Sequence, residues 1–230
     1  MKVSLAYILV FVFSTISLCA QVYDEDDLEG AKYLEDQFYI ATAYNFLLDR
    51  PTDVVQRSLS YNLQAGFVKD IPINKRRNVA LGIGLGYATN SYYTNIEVTE
   101  NDGLIGYTIT DGGDFVRSKF ETHALELPFE FRWRTSTNTE YKFWRIYTGF
   151  KLAYVFARSS KLVTENNTNS FTNDDIQDLQ YGVMLNFGFN TWNIHAYYAL
   201  NSLLEDGVSL ENGASLNMGT LRIGLIFYIL

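Results

Sequence analysis

Eight separate runs of about ten or more residues in this chain alternate an apolar side chain with a small or polar one, and each run stops at turn-forming residues. A period of two sends successive side chains to opposite faces of an extended strand, so each run has one oily and one polar or empty face. The runs are 37–47, 58–69, 78–93, 118–134, 142–157, 178–190, 193–202 and 219–230. Seventeen Tyr and 16 Phe against 3 Pro fit strands better than helices. After Phe13 no apolar stretch approaches the roughly 20 residues that a membrane helix needs. Eight such strands and their connections use nearly all of the chain, which leaves room for one domain.

The first 20 residues read as a secretory signal: Lys2, the apolar stretch Val3 to Phe13, then small and polar residues up to Cys19-Ala20-Gln21. Cys19 is the single cysteine, and Leu18 stands where a lipoprotein signal wants a small residue. The mature chain therefore has no thiol for disulfides or metal sites. Residues 21–36 form an acidic arm, Tyr23-Asp24-Glu25-Asp26-Asp27-Leu28-Glu29 at its centre, without a period of its own. Loss of Lys2 with the leader takes the formal charge from −8 to −9. That balance argues against a nucleic-acid partner.

Connection lengths alternate. They are long at 48–57, 94–117, 158–177 and 203–218, and short at 70–77, 135–141 and 191–192. Bacterial membrane barrels have long outer loops and short periplasmic turns, which predicts both termini in the periplasm and the long loops outside the cell. Within 94–117, Ile105, Tyr107 and Ile109 keep alternating beyond Asn101-Asp102-Gly103, so this loop is expected to continue as strand.

Alternation alone does not say which face points out, and a water-soluble eight-stranded barrel of the lipocalin kind is the competing architecture. Three features oppose it. Leu59, Tyr61, Leu63, Ala65 and Phe67 face away from Ser60, Asn62, Gln64 and Gly66, and Val79 to Tyr87 alternate with Ala80, Gly82, Gly84 and Gly86; glycine weakens a solvated strand but suits a crowded lumen. Trp133, Trp144 and Trp192 gather at the short-turn end. Tyr61, Tyr87, Tyr154, Tyr181 and Tyr198 lie on apolar faces towards the long loops. Two aromatic girdles around an apolar band mark a bilayer. The expected fold is all-β, an eight-stranded antiparallel transmembrane β-barrel with up-and-down topology, occupying 37–230 in the outer membrane and contacting its lipids.

On this register Leu125, Leu127, Phe129, Phe131 and Trp133 face lipid, while Glu126, Pro128, Glu130, Arg132 and Arg134 point inward. Arg145, Tyr147, Gly149, Lys151, His195, Tyr197 and Arg222 follow them. Ionised groups facing lipid would cost about 2–4 kcal/mol each, so the charges belong inside. The set Glu126, Glu130, Arg132, Arg134, Arg145, Lys151, His195 and Arg222 reads as a structural plug, since eight strands leave space only for side chains; a solute path or anion site is the alternative. Arg222 can meet Glu126 or Glu130 only across the lumen.

Catalysis has few candidates. The two histidines, His123 with Glu121 and Ser118 nearby and His195 close to a short turn, fall at opposite ends of the barrel, so no catalytic site is assigned. A lipid-acting enzyme would have to use one of them. Gly82-Ile83-Gly84-Leu85-Gly86 spaces its glycines inside a strand and is no phosphate loop. Asp174, Asp175 and Asp178 lack an EF-hand spacing, and Asn166-Asn167-Thr168 matches a glycosylation triplet. No metal or cofactor is expected.

Leu125-Glu126-Leu127-Pro128, the aromatic-rich hairpin after it and Tyr147-Thr148-Gly149-Phe150 resemble the Leu-Glu-Ile-Pro and aromatic-Gly strands of the PorT-like outer-membrane β-barrels of Bacteroidota. The ending Gly224-Leu225-Ile226-Phe227-Tyr228-Ile229-Leu230 is similar to that family's last strand, although Leu230 replaces the usual terminal aromatic. The resemblance implies a non-enzymatic accessory of protein secretion, of the type IX kind that serves gliding and surface-protein export, or of envelope assembly, with secretion or envelope proteins as partners. It carries over Glu126 and Pro128 as structural positions. A small-solute porin and a lipid-acting enzyme are the competing functions.

Overall fold

The computed structural model describes residues 36–110, 115–135, 143–164 and 167–229. The expected signal, all of the acidic arm but Asp36, and Asn166 and Leu230 lie outside them. The strands are β1 (Gln37–Leu48), β2 (Tyr61–Pro72), β3 (Val79–Thr94), β4 (Ile96–Asn101), β5 (Leu104–Ile109), β6 (Phe115–Arg134), β7 (Trp144–Thr164), β8 (Thr168–Phe171), β9 (Leu179–Phe189), β10 (Trp192–Ala199) and β11 (Gly219–Ile229). Eight of them close a ring in the order β1-β2-β3-β6-β7-β9-β10-β11, every pairing antiparallel. Closure is made by β1 against β11, from Phe38 opposite Ile229 to Leu48 opposite Gly219. No edge remains in the ring, as lipid requires of any spanning sheet.

Several strand ends differ from the sequence expectation, each for a local reason. Strand β2 starts at Tyr61 because Ser58 is left-handed (φ 57°) and the Ser60 hydroxyl accepts from the Tyr93 N–H at 2.9 Å. It runs on to Pro72, paired with Ala80. Strand β10 stops at Ala199 because the Asn201 side chain takes over the backbone of β9, accepting from Tyr181 N (3.1 Å) and donating to Leu179 O (2.8 Å). Strands β6 and β7 pair with each other well past the ring, up to Phe115 opposite Thr164, and β8 adds to this projection. Within the expected 94–117 connection, β4 and β5 form a separate hairpin, turned by Asp102 and Gly103 with φ of 50° and 79°.

Pro128 sits in the middle of β6, where its missing N–H interrupts a ladder. The pairing of β6 with β3 skips Gly84 and Leu85 there. A Cβ on Gly84 would stand 2.9 Å from Pro128 Cγ and 2.6 Å from the Phe67 carbonyl oxygen, so this position admits glycine alone.

The outer wall is apolar: Leu125, Leu127, Phe129 and Phe131 are each 42–47% exposed, and β1, β3, β9 and β10 present similar rows. So continuous an oily surface far exceeds the patch a soluble monomer shows to water. The alternate positions are buried and mostly polar. The largest packed apolar core among the described residues lies elsewhere, at the long-loop end. There Tyr92 and Phe120 from the ring meet Ile96, Val98 and Tyr107 from the hairpin, Val54, Ile176, and Leu203, Leu204, Leu210 and Leu216 from the last long connection. Bridges Ile176–Leu204 and Gln56–Thr94 tie the loops together. The Tyr107 hydroxyl donates to Asp175 Oδ2 (2.8 Å) and accepts from Asn173 Nδ2 (3.0 Å); burial raises its pKa and keeps it protonated. The long loops thus form an apolar-cored cap.

Candidate functional site: the charged lumen

The ring turns residues of even number on β2, β3, β6, β9 and β11 inward, where they meet those of odd number on β1, β10 and β7 up to Val155; the resulting polar interior divides into two clusters. In the first, Glu126 is fully buried and accepts Arg222 Nη1 on Oε1 (2.9 Å) and Lys151 Nζ on Oε2 (2.8 Å). Each cation also faces the Tyr197 ring, Arg222 at 4.5 Å and Lys151 at 5.7 Å. Lys151 Nζ donates further to Gln64 Oε1 at 2.6 Å, which orients the amide so that Gln64 Nε2 donates to His195 Nε2 at 3.1 Å. His195 then carries its proton on Nδ1 and donates it to Asn186 Oδ1 at 2.6 Å, while Asn186 Nδ2 donates to the Tyr228 hydroxyl at 2.9 Å. A side branch runs from Gln64 through Asn62 and Asn90 to Thr122.

The second cluster lies towards the short-turn end. Asp70 holds Arg134 in a two-pronged contact, Nη1 to Oδ1 at 2.9 Å and Nη2 to Oδ2 at 2.8 Å, and also accepts Arg132 Nη1 at 3.1 Å. Arg132 Nε donates to Glu130 Oε2 at 2.7 Å, and the Arg132 guanidinium stacks 4.6 Å from the Tyr147 ring. Arg134 Nε donates to the Arg77 carbonyl at 3.0 Å. Arg145 is surrounded by rings, 4.6 Å from Phe143, 5.2 Å from Tyr228 and 6.0 Å from Tyr147.

All eight charged or titratable residues expected in the lumen are buried there, and Arg222 reaches Glu126 rather than Glu130. The expectation of two interior carboxylates needs correction to three. Asp70, expected in the 70–77 turn, is buried and binds two arginines. Asn62, Gln64, Gly66 and Val68 set a parity in the sequence that puts Asp70 inward between outward Lys69 and Ile71. The girdle residues stand on the outer wall, with Trp133, Trp144 and Trp192 38%, 47% and 67% exposed and Tyr87, Tyr154, Tyr181 and Tyr198 exposed at the other end; Tyr61 is half-buried. Trp192 opens β10 opposite Phe189 instead of lying in the turn.

Neither histidine gathers a nucleophile and a base. His123 is on the outer wall, bonded through Nδ1 to the Tyr87 hydroxyl at 2.6 Å and 3.9 Å from Glu121. Ser118 is buried on the opposite face of the same strand.

Residues 19–205 match the model of the outer membrane protein beta-barrel domain. The chain belongs to this outer-membrane β-barrel family. Among solved structures, that of Ail, the attachment invasion locus protein of Yersinia pestis, is similar at 15% identity with a TM-score of 0.40, over 84% of this chain and 97% of that one. Ail in complex with the heparin analogue sucrose octasulfate is similar at 15% identity and a TM-score of 0.35, over 85% and 99%. No curated protein matches the sequence.

For an outer-membrane barrel, the chemical capacity of this lumen is limited by the pairing of its three carboxylates. Each carboxylate is already claimed by one or two cations, and the barrel axis is crossed by Arg222–Glu126–Lys151–Gln64–His195. Such a network resists opening, because each broken contact strands a charge in a medium that solvates it poorly.

Proposed function

We propose that this outer-membrane barrel is a non-enzymatic, non-conducting anchor that presents its loop cap outside the cell and acts as an accessory in protein export or envelope assembly. The observation that carries the reading is the double filling of the barrel: ion pairs bridge the lumen wall to wall, and an apolar core packs beneath the long loops. A molecule so filled leaves its outer surfaces, the loop cap among them, as the place for contact with partner proteins. The resemblance to PorT-like barrels of Bacteroidota supports a type IX-like secretion role, with the termini and the acidic arm in the periplasm. The alternation of long and short connections and the sorting of Trp and Tyr to opposite rims support the same orientation.

Two measurements test this. Purified barrel, shown by heat-modifiable gel mobility to be folded, is expected to leave a planar lipid bilayer silent; discrete, voltage-stable conductance steps would overturn the closed-lumen reading and favour a small-solute pore. Deletion of the gene in its host is expected to strand surface proteins in the periplasm, and normal export in the deletion strain would remove the secretion role.

A further inference from the structure

Beyond the lipid-facing band, β3, β6 and β7 continue as a sheet with two unlike faces. Inward, Tyr92 and Phe120 are fully buried in the cap core. On the outward face the register aligns Tyr93, Lys119 and Lys161 in one cross-strand row, so that two lysines stand directly opposite each other. Like charges in that position oppose pairing, and an anion seated between them would offset the cost. Arg117 adds a third cation, its guanidinium 6.0 Å from the Tyr93 ring. Of these three cations, Lys119 is the one paired with Glu121. Among the described residues, Lys161 and Arg117 have no carboxylate partner. A cationic row on a chain of net charge −8 is a local inversion of the molecule's own field.

Its height decides what it meets. The apolar face of β6 covers 125–133, nine residues, the length of a membrane-crossing strand, and ends at His123 bonded to Tyr87. Lys119 lies four residues further, about 13 Å along the strand and roughly 10 Å in height at a strand tilt of about 40°. Lysine and arginine side chains extend several ångströms from there, which brings their charges to the level of headgroups beside the barrel rather than to the tip of the loops.

We infer that this row binds the phosphate groups of lipids in the leaflet at the long-loop end, using Lys161, Arg117 and Lys119 on the outer wall. The inference rests on the apolar wall lying in lipid. In the orientation proposed above the lipid is a phosphorylated glycolipid of the outer leaflet, whose anionic sugars stand higher than a phospholipid headgroup.

The test uses full-length mature protein and the variant Lys161→Gln/Arg117→Gln, whose two side chains make no ion pair among the described residues. Insertion is scored first by flotation with phosphatidylcholine vesicles; a protein that does not float with lipid defeats the membrane reading itself. Retention of bisphosphorylated lipid A against its dephosphorylated form is then measured by native mass spectrometry from a neutral detergent. Native protein is expected to prefer the phosphorylated lipid, and the variant to lose that preference by roughly tenfold or more. Equal retention of the two lipids by native protein, or an unchanged preference in the variant, overturns the inference. Displacement of the lipid by millimolar inorganic phosphate would reassign the row to free anions. Unchanged lipid retention with lost surface-protein export would reassign it to an acidic protein partner, and either result overturns the lipid site.

Discussion

Glu126→Gln is expected to destabilise the folded barrel by about 3–5 kcal/mol, the cost of breaking a buried ion network by removing one partner. Glutamine keeps the shape and one acceptor, so the loss isolates the charge. In its absence Arg222 and Lys151, both buried, converge on a neutral amide. Two cations held together without a carboxylate repel each other in a medium of low polarisability. Equilibrium urea titration of protein refolded into vesicles reads the change directly. The informative companion is the triple replacement Glu126→Leu, Lys151→Met and Arg222→Met, which removes every charge of the cluster at similar volume. It is expected to be close to neutral, since charges that are never buried need no compensation. A triple variant as unstable as the single one would show that bulk alone matters at these positions.

Asp70→Asn is expected to cost a comparable 3–5 kcal/mol at the other end of the lumen. Asp70 is the acceptor for three guanidinium contacts from Arg132 and Arg134, and Glu130 bonds only to Arg132 among the contacts described above. The contrast is with the neighbouring residue on the outer face. Lys69 pairs with Asp36 at 3.4 Å in an exposed position, its side chain 53% accessible, and Lys69→Gln should change stability by less than about 1 kcal/mol. Adjacent residues of opposite exposure thus differ several-fold in effect. If the two variants unfold at the same urea concentration, Asp70 is not the hub of the second cluster.

Asp70 also shows where local pattern stops being informative. A charged residue followed by Ile71-Pro72 and a basic Lys75-Arg76-Arg77 reads as the start of a turn, because aspartate and proline are turn residues in isolation. In the barrel, however, β2 stays paired with β3 as far as Pro72 opposite Ala80, and the carboxylate meets two arginines that lie more than sixty positions later in the chain. The same limit applied to the long loops. Alternation at Ile105, Tyr107 and Ile109 correctly signalled extended chain, but nothing in it indicated that this hairpin would leave the ring and pack with Ile176 and Leu204 into a cap.

What the sequence determined by itself was the assignment of faces. A strand reverses its side every residue, so oily and polar sets separate through covalent geometry alone, and the cost of charge in lipid then dictates which set lies inside. Glu126, Arg132, Lys151 and Arg222 could be placed in the lumen on that basis. Which of them touch was decided by the tertiary structure, because contacts across a barrel depend on the stagger at which its first and last strands meet. Pairing Asn45 with Arg222 across the β1–β11 seam is a property of closure, and it is closure that brings Arg222 to Glu126.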